Sequence, residues 1–319
     1  RVITGVHRSA GCARATRQVA AWHAETDRVA AAKPAPLYDH LDRVPDAGVR
    51  TPAHSALSAN MKALGFGAVL WDQIPTSSGP DRLAIGGAVF NVMAQLSRLG
   101  EEAALVSAVG KDALGDDAVA EVAASGVADR WIGRGAARTC EVEVSLDARG
   151  EPSYRIPQRT SWDAIKLGEA ALSDVADWGA DSLFYGTIEQ RDPTSRATLQ
   201  RLIAGHPRAR LFVDLNLRPP HSTPDAIDYS LRHCTDLKLN EEEAGHVAGL
   251  VGWRWSGLES FCAAVAEHYA IDRVVVTAGA AGCYFFDGAG YGRAAAYPVG
   301  AANLGSTGDS VGAGDAFMA

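Results

Sequence analysis

The sequence is poor in cysteine, and its cysteines form no pattern. Five occur in 319 residues, far apart in the chain and without a C-x-x-C pair. An odd number at such spacing argues against a disulfide framework and against a zinc site, so we expect small core residues and a cytoplasmic protein. The five are Cys12, Cys140, Cys234, Cys262 and Cys283.

Long apolar runs and an excess of basic residues are also missing. No run approaches the roughly 18 apolar residues that cross a bilayer, so a membrane partner is not expected. The formal net charge is −8, and nucleic acid is not an expected partner because phosphate backbones select basic surfaces. With 47% hydrophobic residues, the chain can bury one large core.

Familiar nucleotide and metal motifs are absent from the sequence. There is no G-x-x-x-x-G-K-[ST] loop, and the dinucleotide fingerprint fails because Gly65-Phe-Gly67 is followed by Leu70 where a third glycine is needed. The nine histidines form no H-x-x-x-H pair and fall in none of the motifs described below. We expect surface or core roles for all of them.

The two ends of the sequence are unusual. Residues 1–60 are rich in Ala, Arg and Pro and show few large apolar residues at helix or strand spacing. We expect a poorly ordered N-terminal extension, with Met61 as the native start of a domain over residues 61–319. Because the sequence begins with Arg1 and stops inside a predicted helix, we interpret it as a fragment that is incomplete at its C-terminus.

From Ala63 onwards, short apolar strands alternate with amphipathic helices. Such strands are buried on both faces, so the alternation predicts an α/β domain with a doubly wound, mostly parallel sheet. The predicted strands are 64–71, 103–109, 182–185, 210–215, 236–239 and 273–277. The predicted helices are 88–99, 116–124, 194–204, 225–233, 241–248 and 258–269.

The segment 140–156 departs from this rhythm. Polar and apolar residues alternate from Cys140 to Asp147, and the alternation resumes after a turn at 148–150. A hairpin with one solvent-exposed face and one buried face belongs to a small separate sheet. We expect a lid built from about 73–85 and 139–157 that excludes water from a site, with an edge hairpin lacking that role as the alternative. The lid also offers an edge through which two copies could form a homodimer.

Residues 305–319 contain the strongest chemical signal. Gly312 and Gly314 allow close approach to the backbone, and the helix that follows leaves N–H groups free to bind an anion. Asp315, beside that anion site, is suited to accept a proton during phosphoryl transfer. Two alternatives stay open: an ordinary first-turn Asp, or a G-x-S-x-G nucleophile elbow at Ser310 of a serine hydrolase, although no histidine follows it in this sequence.

Other polar groups fall at strand ends and helix starts. Asp72 follows the first predicted strand, at the edge where parallel sheets bind ligands. Gly86 and Gly87 precede a helix in which Asn91, one turn in, faces the same point. A further group shares one face at another strand end and comprises Asp214, Asn216 and Arg218.

These segments resemble one family. Residues 309–315, Asp-Ser-Val-Gly-Ala-Gly-Asp, are similar to the C-terminal signature of the ribokinase-like (PfkB) carbohydrate kinases, with Ser310 where Thr is usual. Residues 85–100 are similar to the N-terminal signature of that family. In all, five segments resemble the family, in family order, and span nearly all of residues 63–319. The resemblance implies a ribokinase-like fold and ATP-dependent phosphorylation of a sugar.

The resemblance also implies roles for single residues. Asp315 is the implied catalytic base, and the amides of Gly312, Ala313 and Gly314 are the implied anion hole. The implied sugar-binding residues are Asp72, Gly86, Gly87, Asn91, Arg155 and Arg218. The implied nucleotide-binding residues are Asn240, Glu243, Thr277, Gly279 and Gly282. Magnesium is implied near Glu243, through water, and a potassium ion beside Asp309 and Val311.

Three of these assignments have plainer alternatives. Asn240 and Glu243 also fit a capping box at the start of a helix. Residues 274–286 also fit a simple hairpin with a glycine turn, and Tyr154 with Arg155 also fits structural packing within the lid.

The substrate is the least specified part of the hypothesis. Residues 156–163, Ile-Pro-Gln-Arg-Thr-Ser-Trp-Asp, and the run Asn216-Leu-Arg-Pro are most similar to fructokinase-type members of the family. The resemblance therefore implies fructose, phosphorylated at O6, as the first candidate, with 2-keto-3-deoxygluconate, ribose and nucleosides as alternatives. A non-catalytic sugar-binding protein is a further alternative, and because of the missing C-terminal segment we expect that this fragment could lack turnover.

Overall fold

The computed structural model describes residues 60–75, 81–146, 152–296 and 313–319. The predictions for the N-terminal extension, for the turn of the lid hairpin and for residues 309–312, including Ser310, lie outside these ranges. Within them, the chain forms strands and helices in alternation, as the sequence predicts.

The described strands fall into two sheets. In chain order they are β1 Lys62–Phe66, β2 Leu70–Ile74, β3 Arg82–Gly86, β4 Glu102–Gly110, β5 Ala128–Gly135, β6 Cys140–Leu146, β7 Pro152–Arg155, β8 Ser182–Tyr185, β9 Arg210–Asp214, β10 Asp236–Asn240, β11 Arg273–Thr277, β12 Cys283–Phe286 and β13 Tyr291–Ala294. The larger sheet has the order β13-β12-β11-β10-β9-β8-β1-β4-β5. Its strands run parallel from β5 to β11, and β12 and β13 add antiparallel at one edge. The predicted doubly wound, mostly parallel sheet is confirmed.

Helices cover both faces of this sheet. Because side chains alternate along a strand, Leu64 and Phe66 of β1 enter one buried core, while Ala63 enters a second core on the other face. Gly65 also faces the second core, where a Cβ would stand 2.7 Å from the Met93 side chain. No helix in the described ranges is long and apolar enough to span a membrane. The helices are α1 Ala88–Arg98, α2 Ala113–Ala124, α3 Glu169–Trp178, α4 Pro193–Gly205, α5 Pro224–His233, α6 Glu241–Val251, α7 Leu258–Tyr269 and α8 Ala313–Met318.

The smaller sheet has the order β3-β2-β6-β7 and contains the segments predicted to form a lid, so the name lid is kept for it below. The hairpin of β6 and β7 is antiparallel, and β3 joins it through β2. The separate sheet predicted from the alternation at 140–156 is thus present.

One predicted strand, 64–71, is wrong. The chain leaves the large sheet after Phe66, crosses through residues 67–69 and enters the lid as β2. The crossing is fixed by local contacts: Gly67 N donates to Val106 O at 3.2 Å, and Ala68 N donates to Glu189 Oε1 at 3.0 Å. The lid therefore begins at Leu70 rather than near residue 73, and Asp72 lies within a lid strand instead of following a core strand.

Candidate active site

Asp315 and Asn91 meet at the end of the large sheet where the parallel strands terminate. Asn91 Nδ2 donates a hydrogen bond of 2.8 Å to Asp315 Oδ2. Asn91 lies one turn inside α1, whose start is set by Gly87 at φ +123°, where a Cβ would strike the carbonyl oxygen of Ala68. Glycine is required there because other residues disfavour that backbone conformation and have no room for a side chain.

Asp72 reaches the same place from the lid. A Cβ on Gly86 would collide with Asp72 Oδ2, so the glycine leaves room for this carboxylate. Burial raises the pKa of Asp72 to about 6, the Arg218 guanidinium lowers it, and the Asp315 carboxylate raises it. Asp72, Arg218 and Asp315 thus interact electrostatically in one partly buried cluster.

Asp315 is a partly buried carboxyl group whose pKa is raised. Burial raises its pKa above the ordinary value, while the hydrogen bond from Asn91 and the positive charges of Lys238 and Arg218 lower it. A carboxylate with a raised pKa binds a proton more readily than an ordinary one, and the nearby donors oppose that shift.

Lys238 lies beneath this acid in a buried ion pair. Its Nζ donates to Asp214 Oδ2 at 2.6 Å, and both side chains are almost enclosed. Burial raises the pKa of Asp214 to about 7 despite the opposing effect of Lys238. A Cβ on Gly314 would stand 2.9 Å from Lys238 Nζ, so the lysine also borders the start of α8.

Of the three residues predicted to share one face, Asp214, Asn216 and Arg218, the structure brings only the first two together. Asp214 and Asn216 both border a cavity that Asp315 also lines. Asp214 Oδ1 has no hydrogen-bond partner among the described residues. Arg218 instead turns towards the lid, with its guanidinium carbon 5.2 Å from the centre of the Tyr154 ring. The alternation stops at Asn216, because a φ of +40° there breaks the strand geometry.

The structure does not bring Arg155 to this cluster. Asp72 pairs with Val142, and Val144 pairs with Tyr154, so these residues share the inner face of the lid. Arg155 points the other way and pairs with Glu143 at 2.9 Å, with 80% of its side chain exposed. Alternation along β7 therefore assigns Tyr154, rather than Arg155, to the side of the lid that faces Arg218.

Asn240 and Glu243 form the capping box that the sequence allows. Asn240 Oδ1 accepts from Glu243 N at 2.9 Å, and Glu243 Oε2 accepts from Asn240 N at 2.8 Å. Glu243 Oε1 accepts in addition from Leu217 N at 2.7 Å, which ties α6 to the loop of Arg218. Both oxygens of Glu243 are therefore engaged with backbone, which fits an indirect contact with magnesium better than direct ligation. In the described ranges no group of three or more His, Cys, Asp or Glu side chains could hold a metal ion.

Thr277 ends β11, and Gly279 and Gly282 lie in the turn between β11 and β12. Thr277 is the register partner of Asn240, so the turn lies beside the start of α6. Gly282 has a φ of +95°, and a Cβ there would collide with the carbonyl oxygen of Ala294. The predicted hairpin is present, and Gly282 is the position that requires glycine.

Two polar residues near the site, Lys238 and Glu189, were not singled out by the sequence. Lys238 occupies a position that reads as part of an apolar strand, and its burial beside Asp214 becomes visible only when β9 and β10 are paired. Glu189 is buried beneath the site, where burial raises its pKa and its Oε2 has no hydrogen-bond partner in the described part of the chain. No sequence motif marks either residue.

The four cysteines that the structure describes are free, and three of them are buried, as predicted.

Comparison with known proteins gives consistent results. Two curated relatives are fructokinases, one from Solanum tuberosum with 29% identity over 83% of this chain and 80% of the relative, and one from Klebsiella pneumoniae with 28% identity over 82% and 83%. Among solved structures, fructokinase with bound ATP from Xylella fastidiosa has a TM-score of 0.67 and 23% identity, covering 81% of this chain and 79% of that one. Fructokinase from Vibrio cholerae O395 in the apo form has a TM-score of 0.64 and 24% identity, covering 82% and 87%. These likenesses establish the fold.

The family is established by a match to a sequence profile. The profile described as pfkB family carbohydrate kinase matches residues 80–319, from the second strand of the lid to the last residue. This range contains Asn91, Arg218 and Asp315, which the structure brings together at the end of the sheet. The chain belongs to the pfkB family of carbohydrate kinases.

Proposed function

We propose that this carbohydrate kinase transfers the γ-phosphoryl group of ATP to a primary hydroxyl of a sugar, with fructose and its O6 as the first candidate. The hydrogen bond between Asn91 and Asp315 beside Asp72 is the observation that supports this most directly. The names of the curated relatives support fructose as the acceptor. 2-Keto-3-deoxygluconate, ribose and nucleosides are the other candidate acceptors. The family assignment contradicts the serine-hydrolase alternative.

In the proposed reaction Asp315 accepts the proton of the attacking hydroxyl. The sugar oxygen loses its hydrogen and forms a bond to the γ-phosphorus, while the bond from that phosphorus to the β–γ bridging oxygen breaks and ADP leaves. The raised pKa of Asp315 supports the proton transfer, because a more basic carboxylate gains more from receiving the proton. Asn91 orients the carboxylate during this step.

Sugar binding is proposed to use both the lid and the core. Asp72 can accept hydrogen bonds from hydroxyls that do not react, and Gly86 and Gly87 leave the backbone open beside it. Arg218 has its positive charge near both Asp72 and Asp315, where it can balance the negative charge of the transferring group. The amides of Gly312, Ala313 and Gly314 are the proposed anion hole.

The nucleotide is proposed to lie along the edge that contains Asn240 and the turn of Thr277, Gly279 and Gly282. Magnesium bound to its phosphates would neutralise charge during transfer. Since Mg²⁺ keeps several waters and takes few protein ligands, Asn240 and Glu243 would contact it through water. A potassium ion beside Asp309 and Val311 also remains a proposal.

A coupled assay of ADP release tests the proposal. The purified chain is incubated with ATP, magnesium and, in turn, fructose, ribose, 2-keto-3-deoxygluconate and adenosine. Turnover that depends on one of these acceptors and disappears in Asp315→Asn, but survives in Ser310→Ala, supports it. Binding of a sugar without ADP release would contradict it and favour a non-catalytic binder.

A further inference from the structure

The lid exit, which comprises Ile156 and Pro157 after β7, is hydrogen-bonded to two separate loops of the core. After β7 the chain continues through Ile156 and Pro157 into the core. The Arg191 guanidinium donates through Nη2 to the carbonyl oxygen of Pro157 at 2.7 Å. His221, from the loop that contains Arg218, hydrogen-bonds to the backbone of Ile156. Two consecutive peptide units at the base of the lid are thus fixed by side chains from different parts of the sequence.

Arg191 is fully engaged in this attachment. Its Nε and Nη2 form a bidentate pair with the Asp163 carboxylate at 2.6 and 2.8 Å, and each of the two side chains is only 9% exposed. The guanidinium also lies 4.0 Å from the centre of the Trp162 ring. A bidentate pair that stacks on an aromatic ring fixes the plane of the guanidinium, and lysine could not reproduce it.

His221 connects Arg191 to the loop of Arg218. Arg191 Nη1 lies 2.9 Å from His221 Nδ1, and because arginine can only donate, this ring nitrogen accepts. The ring proton therefore resides on Nε2, which leaves that nitrogen to donate to the carbonyl oxygen of Ile156. Burial and the neighbouring Arg191 lower the pKa of His221 to about 4, although the Asp163 carboxylate raises it, so the ring is neutral near pH 7.

The same loop fixes the backbone of Arg218. His221 N donates to Arg218 O at 2.7 Å, and Arg218 N donates to Ser222 Oγ at 2.9 Å. Ser222 Oγ is in turn 3.0 Å from Thr187 Oγ1 in the core. The short turn from Arg218 to Ser222 therefore holds His221 and Arg218 in one hydrogen-bonded loop.

We propose that Arg191 and His221 act as a clasp that sets the position of Arg218 relative to the lid. They are positioning residues for the acceptor, because they act through Arg218 and the lid exit rather than by touching Asp72 or Asp315. The clasp joins the lid exit to the Arg218 loop, and Arg218 itself lies against Tyr154 on the inner face of the lid. This inference rests on the proposed function, in which Arg218 contributes to sugar and phosphoryl binding.

The test is a double-mutant cycle with fructose and ATP–magnesium as substrates. His221→Ala is expected to raise the KM for fructose roughly tenfold while kcat changes less than about threefold. Combined with Arg218→Ala, it should add little to the effect of Arg218→Ala alone, because both act through the same side chain. Independent, multiplicative effects of the two substitutions on kcat/KM would overturn the clasp.

Two further variants separate positioning from stability. His221→Asn keeps an acceptor for Arg191 and should recover part of the affinity for fructose. Asp236→Asn breaks a buried carboxylate pair with Arg210 and Arg273 away from the lid exit, and it should lower stability without raising KM. A rise in KM in Asp236→Asn equal to that in His221→Ala would show that lost stability alone explains the effect, against the clasp.

Hydrogen exchange distinguishes failure of this inference from failure of the proposed function. Loss of the clasp should speed the exchange of backbone amides in residues 153–160, whichever sugar is the true acceptor. If Arg218→Ala leaves turnover unchanged with every sugar, the proposed role of Arg218 is wrong and the link from clasp to affinity is overturned with it. If Arg218→Ala impairs turnover but His221→Ala changes neither KM nor exchange, only the clasp is wrong.

Discussion

Asn91 and Asp315 are separated by 224 positions in the chain, yet their side chains are joined by a hydrogen bond of 2.8 Å. One residue lies on the first helix of the described chain and the other on the last. The bond closes the site across the end of the sheet and links the two segments that most resemble the family signatures. Because Asn91 donates this bond, the pKa of Asp315 depends on a residue from the first part of the sequence.

Removal of the Asp315 carboxylate should stop phosphoryl transfer while leaving the fold intact. Asp315→Asn is expected to lower kcat roughly 100- to 10,000-fold, the usual contribution of a general base. The measurement is ADP release under saturating sugar. Asp117→Asn, on the exposed face of α2, is the matched control and should behave as the parent protein. Unchanged kcat in Asp315→Asn would rule out the assigned base.

Loss of the Asn91 hydrogen bond should shift the pH profile. The bond lowers the pKa of Asp315, so Asn91→Ala should raise that pKa. Activity requires the ionised carboxylate and falls as pH falls through its pKa; the acid limb of kcat/KM should therefore move to higher pH. A profile recorded with the same sugar for both proteins checks this. A limb that stays in place would show that Asp315 does not set it.

Lys238 should prove more important for stability than its place in the sequence suggests. Lys238→Met leaves the buried Asp214 carboxylate without its partner and is expected to cost roughly 3 to 5 kcal/mol in the free energy of unfolding. The double variant Lys238→Met with Asp214→Leu should recover much of the loss, because no unpaired charge remains. Arg201→Met, which breaks an exposed pair with Glu169, should lower stability far less and serves as control, because solvent screens the exposed charges.

Stability should also depend on pH through Asp72 and Asp214. Their pKa values in the folded protein, about 6 and about 7, lie above the ordinary value of 3.8. The stability that these two carboxyl groups contribute is therefore fully present below pH 3.8, and it is lost as the pH rises through their pKa values in the folded protein. Urea unfolding at about pH 5 and about pH 8 should show this loss, and the double variant Asp72→Asn, Asp214→Asn should reduce it. Asp112, whose pKa is lowered by Thr139 and Gly115, contributes with the opposite sign.

Gly87 should tolerate alanine less well than Gly100. Both have positive φ, but a Cβ on Gly87 would strike Ala68 O, whereas nothing lies within 4 Å of one on Gly100. Backbone strain alone is expected to cost about 1 to 3 kcal/mol, so Gly100→Ala measures the strain and Gly87→Ala the strain plus the clash. Equal losses of stability in the two variants would argue against the close approach at the start of α1.

The central sheet could be predicted from sequence because its strands are short, apolar and separated by amphipathic helices. The pattern failed at residues 64–71, since Phe66 and Leu70 are both apolar and periodicity does not reveal which sheet a strand joins. It also missed β5, β13 and α3. Boundaries were less reliable than elements: α2 starts at Ala113, where Asp112 accepts from Gly115 N, rather than at residue 116.

Part of the candidate site could likewise be predicted from the sequence, and part could not. Motif spacing predicted that Asp72, Asn91 and Asp315 would meet, because each follows a glycine-rich or strand-end signal. Arg155 lies one position from Tyr154, which in a strand places it on the opposite face. Lys238 and His221 interact with residues far away in sequence, and pairings of that kind depend on the register of strands and on loop contacts that no local pattern records.

The position of Asp72 on a lid strand has a thermodynamic consequence. In the proposed function, a sugar that hydrogen-bonds to this carboxylate would bind more tightly when the lid is closed than when it is open, so sugar binding and lid closure would be linked equilibria. A substitution that favours the open lid would then weaken sugar binding in proportion to the fraction of closed lid that is lost. Exclusion of water and recognition of the sugar would be coupled through β2, the strand that carries Asp72.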